Sequence, residues 1–168
     1  MKRKDQNDIR ERFLRWLLFS ILVILILEMV LISNLYTTIN NEGTAYYFLI
    51  VLLLILCAIS LYFTLRKNYM IASYVTMLMT IVGTWGAVII EYSYKSLDFF
   101  PIIFVSLNIV FSSILLPLSL TILLSIFQII GVFLIFISSD MLSVGIMSSF
   151  ISFILMISVL SIITSYIN

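Results

Sequence analysis

The chain of 168 residues has no histidine, one cysteine, two prolines and five glycines, and only 10% of its residues are charged. Each shortage closes a route. A single cysteine, Cys57, excludes a disulfide framework within one chain. Without histidine or a cysteine pair the usual nitrogen and sulfur metal ligands are missing, and no cofactor is expected. Soluble domains carry roughly a quarter charged residues, and a small fold leaves much of its surface exposed. A soluble fold of this length could not hide the 63% of residues that are hydrophobic. No carboxylate pair, Ser/His or Cys/His set, or Gly-rich phosphate loop is present. Intramembrane hydrolysis needs an activated nucleophile or a metal-bound water, so an enzyme is not expected. A nucleic-acid partner is not expected either. What remains is an integral membrane protein of the plasma membrane whose first partner is the lipid bilayer.

A hydrocarbon core of about 30 Å takes roughly twenty helical residues. The N-terminus, "MKRK" and then an apolar core, has the outline of a cleaved signal peptide. Trp16–Leu35 is nevertheless 20 residues long, and no Ala-x-Ala-like site follows it; a signal core is roughly 7–15 residues. The stretch reads as a retained first span after a basic segment, 1–15. Further spans are predicted at 46–65, 69–90 and 141–163. Between the last two lies the uncharged run Phe99–Ile137, 39 residues, which as one helix would reach about 58 Å. It must fold back. Pro117 lacks the N–H of a continuous helix and disfavours helical geometry before it, which gives spans 99–116 and 118–137. A kinked re-entrant pair is the alternative. The predicted fold is an all-α polytopic bundle of six transmembrane helices spanning 16–168 as one domain. Ser113 and Ser119 flank the turn and are expected to satisfy its freed backbone groups.

An even number of spans puts both termini on one side. Lys2, Arg3, Lys4, Arg10, Arg12, Arg15, Arg66 and Lys67, eight of the nine basic residues, then share that side, and only Lys95 opposes them. Basic loops stay inside, so both termini are predicted to be cytoplasmic. Tyr36, Tyr46, Tyr47, Tyr92 and Tyr94 fall at the outer interface as belt anchors. Asp98 and Pro101, in "DFFP", form a plausible opening for the fourth helix.

Glu28 is the one charged residue inside a predicted span, about 10 Å below its outer end. It reads either as a contact for a ligand or proton in an outward cleft, with Glu91 and Asp98, or as a carboxyl reaching the headgroups or a neighbouring helix. Ser73, Thr76, Thr80, Gly83 and Ala87 recur at steps of three and four, a stripe of small residues suited to close helix packing; a polar permeation path would use the same residues. Asn108 and Gln128 fall at similar depth on either side of Pro117, and Thr121 and Ser125 share the face of Gln128. They serve as interhelical hydrogen-bonding groups or line a substrate site.

The stretch from Lys95 to Ile130, "KSLDFFPIIFVSLNIVFSSILLPLSLTILLSIFQII", resembles the second half of the six-helix membrane sensor domains at the N-termini of bacterial and archaeal histidine kinases and GGDEF diguanylate cyclases. The basic N-terminus, the basic turn after the second span and the final "SVLSIITSYIN" match that layout. The resemblance implies a sensory or anchoring module, dimeric, which responds to a small ligand and signals through its last helix to a cytoplasmic output domain in cis or in trans. "YKSLDFFP" lacks the glycines of the quinone-associated members, so quinone binding is not implied. The last helix ends without a glycine cap or proline stop. A small transporter or a subunit of a larger membrane complex is the alternative.

Overall fold

The computed structural model describes the backbone of residues 2–35, 41–94, 100–138 and 144–167. Six helices occupy these residues: α1 Lys2–Leu35, α2 Asn41–Leu65, α3 Tyr69–Tyr94, α4 Phe100–Leu115, α5 Leu118–Ser138 and α6 Val144–Ile167. Each expected span overlaps one helix, and residues 99 and 141–143 of the expected spans lie outside the described residues. The main difference is at the start, where α1 takes in nearly all of the basic segment 1–15. That segment holds no glycine or proline, and its Lys, Arg, Glu and Gln are good helix formers. Arg15 donates to Glu11 one turn earlier at 2.8 Å, an exposed pair of the helix-favouring orientation.

Four helices carry stretches long and apolar enough to cross a membrane: Glu11–Ser33, Gly43–Leu65, Tyr69–Glu91 and Leu118–Ile137. α4 and α6 contribute the shorter apolar stretches Ile103–Leu115 and Phe150–Tyr166. Polarity is distributed inside out. Trp16 and Phe48 are 73% exposed and Leu123 65%, whereas Ser60, Thr64, Thr76, Ser112 and Thr121 are fully buried. In water that arrangement would leave large apolar patches unprotected; in lipid the tails cover them and the hydroxyls pair inside. The chain is built as a membrane protein.

Contacts divide the chain into two compact units, Met1–Asp98 and Phe99–Asn168, where one domain over 16–168 is expected from the sequence. The physical reason is the connections: α2 and α3, and α4 and α5, are joined by two or three residues and must pack as antiparallel neighbours. In the first unit α2 is central, packed on both α1 and α3. Leu14, Leu18 and Leu25 form the buried line of α1, and the Cys57 thiol of α2 donates to the Leu18 carbonyl at 3.6 Å. In the second unit all three helix pairs are in contact. Its core includes Val105, Ile109, Val132, Phe136 and Ile154, and the Phe136 and Phe150 rings meet edge to face, 6.4 Å between centroids.

The run Phe99–Ile137 does break at Pro117. Leu116 donates its N–H to Ser112, and the Pro117 carbonyl accepts from Leu120 and Thr121 at 3.0 and 3.1 Å, which opens α5. Neither flanking serine ties the turn together. Ser113 turns back to the Val110 carbonyl at 2.7 Å and Ser119 is exposed. The group that crosses is Thr121, whose hydroxyl donates to the Ser112 carbonyl at 3.1 Å.

Candidate functional site

The polar residues of the first unit collect at two places. Near the α2–α3 turn, Ser60 Oγ lies 2.9 Å from the Ala72 carbonyl and 2.7 Å from Thr76 Oγ1. Thr76 donates to the same carbonyl at 2.8 Å, and Thr64 donates back to Ser60 at 2.8 Å. This hydroxyl cluster is buried and joins α2 to α3. An interhelical hydrogen bond in a membrane contributes about 0.6–2 kcal/mol. Ser73 and Tyr69, one turn apart on α3, bury hydroxyl oxygens with no hydrogen-bond partner.

The small-residue stripe of α3 lies toward α2. Ser73 and Thr76 are buried, and Thr80 returns its hydroxyl to Met77 at 3.0 Å. A Cβ built on Gly83 would come 3.2 Å from Leu53 Cδ1. The tightest approach is at Gly86, which the spacing alone does not single out: a Cβ there would stand 2.5 Å from Leu49 Cδ1. Ala87 is half-buried.

At the far end of the hairpin the Tyr46 hydroxyl donates to Glu91 Oε1 at 3.2 Å. Tyr46, expected only as an interfacial anchor, is thus a partner of a proposed ligand contact. The two residues stand at nearly equal chain distances from Lys67, which is the sequence signal for their meeting. About 30 Å of helix separates them from Arg66 and Lys67, close to the thickness of a hydrocarbon core. Glu28 is exposed on α1 and forms no hydrogen bond or ion pair with Glu91. Asp98 lies outside the described residues.

The second unit buries a larger polar set. Asn108 and Ser112 on α4, Thr121, Ser125 and Gln128 on α5, and Ser158 and Ser161 on α6 are each at most 4% exposed. On each helix they recur at steps of three or four, so one face of each is polar. Ser112 donates to Ile109 at 2.7 Å and Ser158 to Ile154 at 2.8 Å, intrahelical bonds of the kind serine makes in apolar surroundings. Asn108 and Gln128 are both engaged. Ser125 Oγ is buried with no hydrogen-bond partner; leaving a hydroxyl so costs about 1–3 kcal/mol. Hydroxyls and carboxamides offer donors and acceptors without charge, so this interior suits neutral polar groups. Among the described residues, no three His, Cys, Asp or Glu side chains gather as metal ligands.

Comparison with known protein families, curated proteins and solved structures finds no match to this chain.

Proposed function

We propose that the chain is a six-span module of the plasma membrane with both termini cytoplasmic. It senses or anchors, and relays a signal through α6 to a cytoplasmic output domain of the kinase or diguanylate cyclase type, in cis or in trans. The observation that carries this reading is the place of α6 in its unit. α6 packs on both α4 and α5, turns Ser158 and Ser161 inward, and continues as one helix to Ile167. A rearrangement of the polar faces of α4 and α5 would therefore shift α6 along or about its axis. A stimulus moves such an equilibrium only through different affinities for its two states; the uncharged interior favours a small neutral ligand. The basic residues support the orientation, since Arg66 and Lys67 sit in the α2–α3 turn, at the opposite end of that hairpin from Glu91.

The same polar interior is what favours the second reading, a small transporter or a subunit of a larger complex, in which these groups would line a path. Paired reporter fusions test the topology that the relay requires. A fluorescent protein fused after Asn168 should fluoresce and alkaline phosphatase inserted after Ser96 should be active. Phosphatase activity at Asn168 would sink the relay, because α6 would then end outside.

A further inference from the structure

Glu28 is the one charged residue of α1 beyond Arg15, and the packing of the helix leaves it exposed. Leu17, Ser20, Ile24, Glu28 and Leu31 follow one another at steps of three and four and so share a face. Leu17 is half-buried and the other four are exposed. The line runs beside Leu14, Leu18 and Leu25, the buried line of α1. Leu17, Ile24 and Leu31 repeat every seven residues, the spacing at which two helices keep one seam in contact.

We propose that this seam is the interface with a second copy of the chain, in which the two Glu28 carboxyl groups hydrogen-bond to each other. A carboxylate facing hydrocarbon is costly and calls for a partner. No Lys, Arg or His lies within 16–35, 46–65, 69–90, 99–116, 118–137 or 141–163, so a second copy offers no cation at that depth. What it does offer is its own Glu28. Insertion gives every copy the same orientation; two α1 helices therefore meet parallel about a two-fold axis, where each residue faces its counterpart. A neutral carboxylic acid has one O–H donor and an accepting oxygen, so two of them satisfy each other. Ser20, about 12 Å along the helix, is small and polar and lets the backbones approach. At about 100° per residue Arg12 and Arg15 fall round the helix from the seam, and Arg15 is held by Glu11 at 2.8 Å. Arg3 and Arg10 continue the seven-residue line of Leu17; the seam is therefore confined to the residues from Leu17 onward, and the like charges fall in the segment before the apolar span, where salt screens them.

The pairing rests on α1 crossing a membrane and not on the relay through α6. It is tested in the full chain carrying Cys57→Ser, with single cysteines introduced in the seam (Ser20→Cys, Ile24→Cys, Leu31→Cys) or on the other exposed face. For the latter, Val23, Ile26 and Val30 are 43%, 48% and 51% exposed. Under copper–phenanthroline oxidation in native membranes, the seam cysteines should cross-link and the others should not. Adding Glu28→Leu to Ile24→Cys should lower the cross-linked fraction about tenfold, whereas Glu28→Gln, also donor and acceptor, should retain it. Equal cross-linking on both faces, no cross-linking at all, or full cross-linking in the Glu28→Leu variant would each overturn the proposal. Release of the protein by alkaline carbonate would overturn the membrane placement of α1, and the pairing with it.

Discussion

Gly83 and Gly86 lie one turn apart on α3 and meet different obstacles. At Gly83 a methyl group would press on the terminal carbon of Leu53 at 3.2 Å, a side chain able to give way. Alanine also favours a helix over glycine by about 1 kcal/mol. Gly83→Ala should therefore leave thermal unfolding in detergent unchanged or raise it slightly. At Gly86 the same methyl would stand 2.5 Å from Leu49 Cδ1, and a larger side chain would force α2 away. Gly86→Leu should lose about 1–3 kcal/mol, as overpacked interiors do, and Gly86→Ala should fall below Gly83→Ala. If Gly86→Leu melts with the parent, the close approach of α2 and α3 is not there. Small residues betray the α3 face in the sequence because lipid-exposed helices have little other reason to carry them. The α2 face, Leu49, Leu53 and Ser60, is illegible there: "FLIVLLLILCAIS" is apolar on every side, so no period marks the buried residues.

The two hairpins close by different devices. After α2, the Asn68 N–H bonds back to Phe63 and the Lys67 N–H to Thr64, both at 3.0 Å. These are the paired bonds of a Schellman cap. Its left-handed position is held by Lys67, with φ of 58°, where glycine is usual. A side chain there costs about 1–2 kcal/mol, so Lys67→Gly should stabilise the hairpin by about 1 kcal/mol, read as a higher midpoint of thermal unfolding. A lower midpoint would mean that the lysine side chain contributes more than the backbone strain it causes. Arg66, over the Tyr62 ring at 5.1 Å, keeps a cation at the turn in either case. After α4, proline and sheer length make the break legible in the sequence. The fastening by Thr121 is not, because its acceptor is a backbone carbonyl, and backbone carbonyls carry no sequence signature.

At the scale of the molecule, hydropathy locates the helices because lipid demands long apolar stretches, and the short connections name their neighbours. It does not reveal that these helices gather as two sets of three, since that depends on which faces interlock. The polar interior of the second unit was half legible. Thr121, Ser125 and Gln128 share a helical face by spacing and are buried together; the inward position of Ser158 and Ser161 on a helix with serines on several sides was not. Glu28 was legible as an anomaly, but its place on an open seam required the packing of α1.

The division into units has a consequence for how the protein is made. From Phe99 to Asn168 there is no Lys or Arg at all, so the second unit carries no topogenic signal of its own and must inherit its direction from the three helices synthesised before it. Acidic residues such as Asp140 contribute little to that choice. Residues 99–168 produced alone, with reporters fused after Asn168, should insert both ways and give fluorescence and phosphatase activity together, while the full chain gives fluorescence only. A single direction for the fragment would show that it steers itself. Otherwise the first three helices act as the pilot and the last three as passengers.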